Sequence, residues 1–312
     1  MIVWIIGACQ AGATPLTDSS PTLDARYVLP ATASVPPSSP TPSDVISAWM
    51  ARRPALLAGR YATTDTTAYD IAPLTRLKDE PPITGAVDRL FADTYTYLRL
   101  AGPEQLASVS RIVVRGRPIA FSRPYFNSYD GSYWDVSFVG KDAGRDVASE
   151  ILREVLFDVS EVIANSTDGN PVAELIEFTV RGGQAVITLG SASPAADGDH
   201  PLPPGIYVVG HKPEVDLAIG EEMVVFLDYV RLDGLYSQGG TKFGYIYRLM
   251  PAHDLYYKWS VDDGILSNQQ FGTAGTLDAA ELDALIASEH FASAVGPSPD
   301  DTIHDQDPPH EP

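Results

Sequence analysis

The chain has almost no cysteine. Among 312 residues the only one is Cys9. A lone thiol forms no intramolecular disulfide, and zinc sites built from several cysteines are excluded. Long apolar runs are missing too, and none approaches the roughly 20 residues of a membrane-spanning helix. Basic residues are scarce: 21 Lys and Arg face 41 Asp and Glu, for a formal net charge of −20. Such a chain repels phosphate backbones and anionic lipid, so nucleic acid is not an expected partner. The last basic residue is Lys258, and every charged residue from Asp262 to Glu311 is acidic. That excess solvates the C-terminal end.

Motifs for metal or cofactor chemistry are also lacking. The histidines are His200, His211, His253, His290, His304 and His310, and no two have His-x-x-x-His spacing. His200 sits beside Asp197 and Asp199 in "ADGDHPLPPG", which reads as a solvated loop. "GSASP" at 190–194 lacks the second glycine of a nucleophile elbow. Gly182-Gly183 and Gly239-Gly240 lead into no helix bearing Lys-Ser/Thr, so they read as turns rather than phosphate loops. Asp-Gly pairs begin at 130, 168, 197, 233 and 263 without a calcium-type ligand ladder, and they read as hairpin turns. No cofactor and no metal are expected.

What is present starts at the N-terminus. "MIVWIIGAC" ends in Ile6-Gly7-Ala8-Cys9, an aliphatic residue and two small residues before the cysteine. This resembles a bacterial lipobox, which implies lipidation of Cys9. The apolar part begins at Met1 with no basic n-region, which places the expected translation start upstream. The alternative is a frayed apolar terminus with a free thiol. Residues 10–43 hold Pro15, Pro21, Pro30, Pro36, Pro37, Pro40 and Pro42 among Ser, Thr and Ala, with Asp18, Asp24 and Arg26 as the charges. Such a segment reads as a disordered tether.

From residue 44 to 107 a helical or irregular segment is expected. "SDVISAWMARRPALLAGRY" spaces Val45, Ile46, Trp49 and Met50 on a helix that Pro54 should end. Val87, Leu90, Phe91, Thr94 and Leu98 suggest a second helix, with Gly102-Pro103 as its stop. Residues 108–292 read as a mostly antiparallel β-domain with a C-terminal helix. "REVLFDVSEVI" and "ELIEFTVRGG" alternate, which predicts strands with one wet face. "EEMVVFLDYV" is apolar on both faces and should be central. "LYYKWSV" predicts Leu255, Tyr257, Trp259 and Val261 inward. "TLDAAELDALIASEH" predicts a helix capped by Asp278 and Glu281, with Leu282, Leu285 and Ile286 buried. Residues 293–312 are Pro- and Asp-rich and read as a disordered tail.

The order "SRIVVRGR", "LFDVSEVIANS", "LIEFTVRGG", "LAIGEEMVVFLDYV", "TLDAAELDALI" resembles secreted bacterial β-barrel domains of unassigned function. It is similar to the OB-like barrel of netrin and metalloproteinase-inhibitor modules. The resemblance spans about residues 108–287 and implies a barrel and an extracytoplasmic compartment, but no activity. The inhibitory role of those modules does not carry over, because Cys9 stands far before the barrel with no second cysteine to pin it.

One cluster suggests binding. "RPYFNSYDGSYW" crowds Tyr125, Phe126, Tyr129, Tyr133 and Trp134 into one predicted hairpin. Exposed rings there could stack on a sugar or grip a peptide, with Tyr125, Tyr129, Tyr133 and Trp134 as candidates. Cross-strand packing is the plainer role. Three functions stay open. One is a binding or accessory module of the cell envelope, with an extracytoplasmic ligand or envelope protein as partner and membrane contact through the lipid alone. The second is a hydrolase whose acids, such as Asp135 and Glu154, meet only in the fold. The third is a structural subunit of a surface complex.

Overall fold

Strands dominate because β-branched and aromatic residues alternate over long stretches between glycine turns. The computed structural model describes residues 42–52, 74–82, 88–91, 99–127, 150–167, 171–189, 205–211, 213, 215–237 and 241–295. All belong to one compact unit, Thr41–Pro312. The lipobox, the first 32 residues of the tether and the tail beyond 295 lie outside the described residues.

The elements in chain order are α1 (Pro42–Arg52), β1 (Asp88–Phe91), α2 (Pro103–Ser108), β2 (Ile112–Phe121), β3 (Tyr125–Phe126), β4 (Ile151–Asn165) and β5 (Leu175–Arg181). Then come β6 (Gly183–Leu189), β7 (Gly205–His211), β8 (Met223–Ser237), β9 (Thr241–Pro251), β10 (Lys258–Asp262), β11 (Ile265–Ser267), β12 (Thr276–Leu277) and α3 (Ala279–Ala287). Among the described residues the main sheet runs β12-β11-β10-β8-β2-β4-β3, with β5 on β4 and β9 on β8. A smaller sheet runs β1-β7-β6. Pairing is antiparallel except between β1 and β7.

The centre of the main sheet is β8 against β2 and β10. Met223 to Leu227 are all buried there, as the two-sided apolar run predicts. Alternation sends Met223, Val225 and Leu227 into one core with Val155, Phe157 and Phe178. Val224 and Phe226 face a second core with Trp259, α2 and α3. The capping box forms as the sequence predicts: Asp278 Oδ1 accepts from Glu281 N and Glu281 Oε2 accepts from Asp278 N, both at 2.8 Å. Leu282 and Leu285 are buried and Ile286 packs beside them. After α3, Ala292 N and Ala294 N donate to the carbonyls of Ala107 and Ser108, which ties the chain to α2.

Several expectations are corrected. The sheet is not closed into a barrel among the described residues: β5 pairs only with β4, and β9 only with β8. The two strands approach each other without a ladder between them. The helix expected over Val87–Leu98 is replaced at Asp88–Phe91 by β1, parallel to β7, since a short apolar run fits either period. Gly102-Pro103 starts a helix instead of ending one. Gly102 is the N-cap of α2, and Pro103 takes a first-turn position where the missing N–H has no cost.

The single wet face expected for β4 and β5 fails as well. Their inner face carries Val155, Phe157 and Phe178, yet Glu154 and Thr179 on the other face are also buried. Cover on that face includes Tyr125 and Met250, and α1, whose Trp49 packs on Ala120 and Leu156. Asp263-Gly264 forms the expected two-residue turn, with φ of 47° and 80°, between β10 and β11. Asp233-Gly234 does not turn. It lies within β8, with Gly234 opposite Gly244 of β9. Gly182-Gly183 joins β5 to β6 with φ of 116° and 132°. The pairs at 130, 168, 197 and 239 lie outside the described residues.

Candidate functional site

Between β9 and β10 the chain leaves the ladder. Both strands pair with the same edge of β8. β9 ends with Pro251 opposite Leu227, and β10 begins with Lys258 opposite Val225. Phe226 alone spans the gap. Its carbonyl accepts from Ala252 N at 2.9 Å, and its N–H donates to Tyr257 O at 3.0 Å. Residues 253–256 are thereby thrown out of the ladder as an enlarged bulge, a device that re-aims side chains. "LYYKWSV" is therefore not one strand. Tyr257 enters the first core while Tyr256 and Trp259 enter the second.

On one side the excursion meets the unclosed seam between β5 and β9. Arg181, at the end of β5, donates from Nη1 to Asp254 Oδ2 at 2.6 Å and from Nε to Glu150 Oε2 at 2.9 Å. Burial alone would pull the Arg181 pKa down. The charges of Asp254 and Glu150 and their hydrogen bonds outweigh it, so the guanidinium is held more firmly protonated than usual. An ion pair thus joins the end of β5 to the excursion that follows β9. Beside it a narrow pocket with room for about one water is lined by Leu77, Val180, Arg181, Val215, Asp254 and Tyr257, among others. Tyr257 is 2% exposed, with its ring edge-on to Phe178 at 6.4 Å. Burial first, then the negative charges of Asp254, Asp216 and Glu221, push its phenol up.

A second buried group lies on β4. The Glu154 carboxylate accepts from the Tyr125 hydroxyl on one oxygen and from Thr179 Oγ1, at 2.7 Å, on the other. The strand register creates this pairing by setting Glu154 opposite Thr179. Burial, followed by the Glu154 charge, raises the Tyr125 phenol above its ordinary value, against the opposing charge of Arg248.

The other side of the excursion is aromatic. The His253 ring meets Tyr256 at 4.9 Å, Tyr256 meets Phe271 at 4.4 Å, Phe271 meets Trp259 at 5.6 Å, and Trp259 meets Phe226 at 6.2 Å. Trp259 is fully buried, and its Nε1 donates to no acceptor among the described residues.

Of the residues singled out from the sequence, Tyr125 is placed in the fold, 7% exposed and packed on Leu152 and Met250. Cys9, Tyr129, Tyr133 and Trp134 lie outside the described residues, as does Asp135. Among the described residues no group of three or more His, Cys, Asp and Glu is set to hold a metal ion. Regular alternation in "LYYKWSV" does not reveal the aromatic layer. The adjacent Tyr256 and Tyr257 carry the signal, since two neighbouring rings cannot both be inward on one strand. Comparison of the chain with family models, with curated proteins and with solved structures finds no match.

Proposed function

We propose that this chain is an extracytoplasmic binding or accessory module, held at a bacterial cell envelope by a lipid on Cys9. The observation that carries the binding reading is the commitment of the buried and half-buried charges. Glu154 accepts from two hydroxyls, Arg181 is clasped by two carboxylates, and Arg153 is paired with Glu80. Groups so engaged are locks within the fold and are poorly placed to exchange protons with a substrate. That favours binding over the alternative of an Asp135–Glu154 hydrolase. The lipobox and the proline-rich tether support the address.

Two measurements test the reading. The precursor, translated from its native start, should incorporate labelled palmitate and partition with membranes, and Cys9→Ser should abolish both. Unlabelled, soluble native protein would remove the anchor. A thermal-shift panel on the full chain, covering oligosaccharides, peptides and lipids, should give a ligand that raises Tm without being consumed. Turnover of a panel compound would replace the module by an enzyme.

A further inference from the structure

The connection between β11 and β12 has a buried neck and an exposed tip, a 3-10 turn over Gln269–Ala274. Asn268, 4% exposed, makes the neck: its N–H donates to Gly275 O at 2.7 Å, its Nδ2 to Tyr256 O at 2.7 Å, and its Oδ1 accepts from Gln270 N at 2.9 Å. A Cβ at Gly275 would stand 2.0 Å from Asn268 O, so the neck admits only glycine there. At the tip Gln269, Gln270, Gly272 and Thr273 are exposed. Gly272 has φ 61° and ψ −127°, a reversal that glycine alone adopts readily, and nothing lies within 4 Å of where its Cβ would be. Phe271 is the tip residue whose ring turns inward, onto Tyr256 and Trp259. Trp259, the ring it meets at 5.6 Å, carries the buried indole N–H that no described residue accepts. An unmatched buried donor is costly in a folded core, and such a group calls for an explanation.

We propose that residues 269–274 form a lid over a saccharide site floored by Tyr256 and Trp259. Phe271 occupies the place of a neutral pyranose, and Trp259 Nε1 is the donor for one of its oxygens. This rests on the binding reading above and adds the ligand class and the place. A pyranose would give the rings a flat C–H face in place of Phe271 and would add the missing oxygen acceptor for the indole. The rim fits a neutral ligand, because Gln269, Gln270 and Thr273 offer amides and a hydroxyl but no charge. A basic peptide finds no carboxylate among them, and the net charge of −20 opposes an anionic glycan.

Calorimetry on the full chain with cellohexaose, maltohexaose and the hexamer of N-acetylglucosamine tests this. At least one should bind. Trp259→Phe keeps a ring and removes the donor, and should weaken binding by about three- to tenfold. Phe271→Ala removes the competitor and should tighten it. Hydrogen exchange on the unmodified protein needs no variant: amides 270–273 should exchange faster than those of β10 and slow on saturation with sugar. The proposal is overturned if no hexasaccharide binds, if Trp259→Phe leaves the affinity unchanged, or if the tip amides are as protected as β10. Peptides that bind where sugars do not would remove the saccharide site and leave the binding module standing. Silence from every ligand class would remove both.

Discussion

Arg153→Met is expected to cost about 3–5 kcal/mol, because it strands a buried carboxylate. The Arg153 side chain is 3% exposed and Glu80, its partner, 6%. Arg153 stands on β4 opposite Val180, two residues from Val155 in the first core. Glu80 reaches it from the segment 74–82, which is pinned to residues 217–219 ahead of β8. Leu77 is 1% exposed in that core and donates its N–H to Leu217 O at 2.9 Å. Removing the cation leaves Glu80 buried with no other partner among the described residues. For a domain of this size the loss corresponds to about 6–20 °C in Tm. The double change Arg153→Met with Glu80→Leu should recover most of it, since an apolar pair of similar volume often replaces a buried ion pair without loss. Urea unfolding of both single changes and the double change gives the coupling. A single-variant cost below about 1 kcal/mol would mean that water reaches the pair despite its burial.

The same strand, β4, shows what is legible in the sequence. Val155 and Phe157 announce the core face of β4 by period alone, and Glu154 was assigned to water by the same rule. Period says which residues share a face. It does not say whether that face meets solvent or other elements. Tyr125, Met250 and α1 cover it, and each arrives from far away in the chain. Asp278 with Glu281, and Asp263-Gly264, were legible because a cap and a two-residue turn are decided within a few residues. Gly102-Pro103 starts a helix where a stop is expected, because a glycine followed by a proline punctuates a helix in either direction. Local sequence gives the break and not its sense.

The candidate site was legible only in pieces. The aromatics of the 125–134 stretch drew attention because they are contiguous. The layer of His253, Tyr256, Trp259 and Phe271 draws on both sides of a hairpin and on an excursion that exists only because β9 and β10 share one edge of β8. The Arg181–Asp254 pair likewise depends on a sheet that curls far enough to bring β5 near β9 without closing. Alternation predicted the strands. Closure is set by strand number, twist and register together, which no single strand encodes.

Two of the buried phenols, Tyr125 and Tyr257, are expected to make the fold sensitive to alkali. The pKa values of Tyr125 and Tyr257 are both raised by burial and by nearby carboxylates. A phenol with a raised native pKa keeps its proton in the fold and loses it in the unfolded chain. Its contribution is therefore fully present below the unfolded value, about pH 10, and declines as pH rises above it. Each such group lowers stability by about 1.4 kcal/mol per pH unit in that range, so the pair lowers it by about 2.7. Denaturant unfolding between pH 8 and 12 should thus be flat at first and then fall steeply from about pH 10. The two tyrosines are separable. No described residue hydrogen-bonds the Tyr257 hydroxyl, so Tyr257→Phe should be within about 1 kcal/mol of neutral at pH 7 while roughly halving the alkaline slope. Tyr125 donates to Glu154. Tyr125→Phe should halve the slope too, but cost about 1–3 kcal/mol at pH 7, because it leaves a buried carboxylate short of a donor. An alkaline limb that stays equally steep in both variants would show that the slope comes from other groups and that neither phenol keeps its proton in the fold.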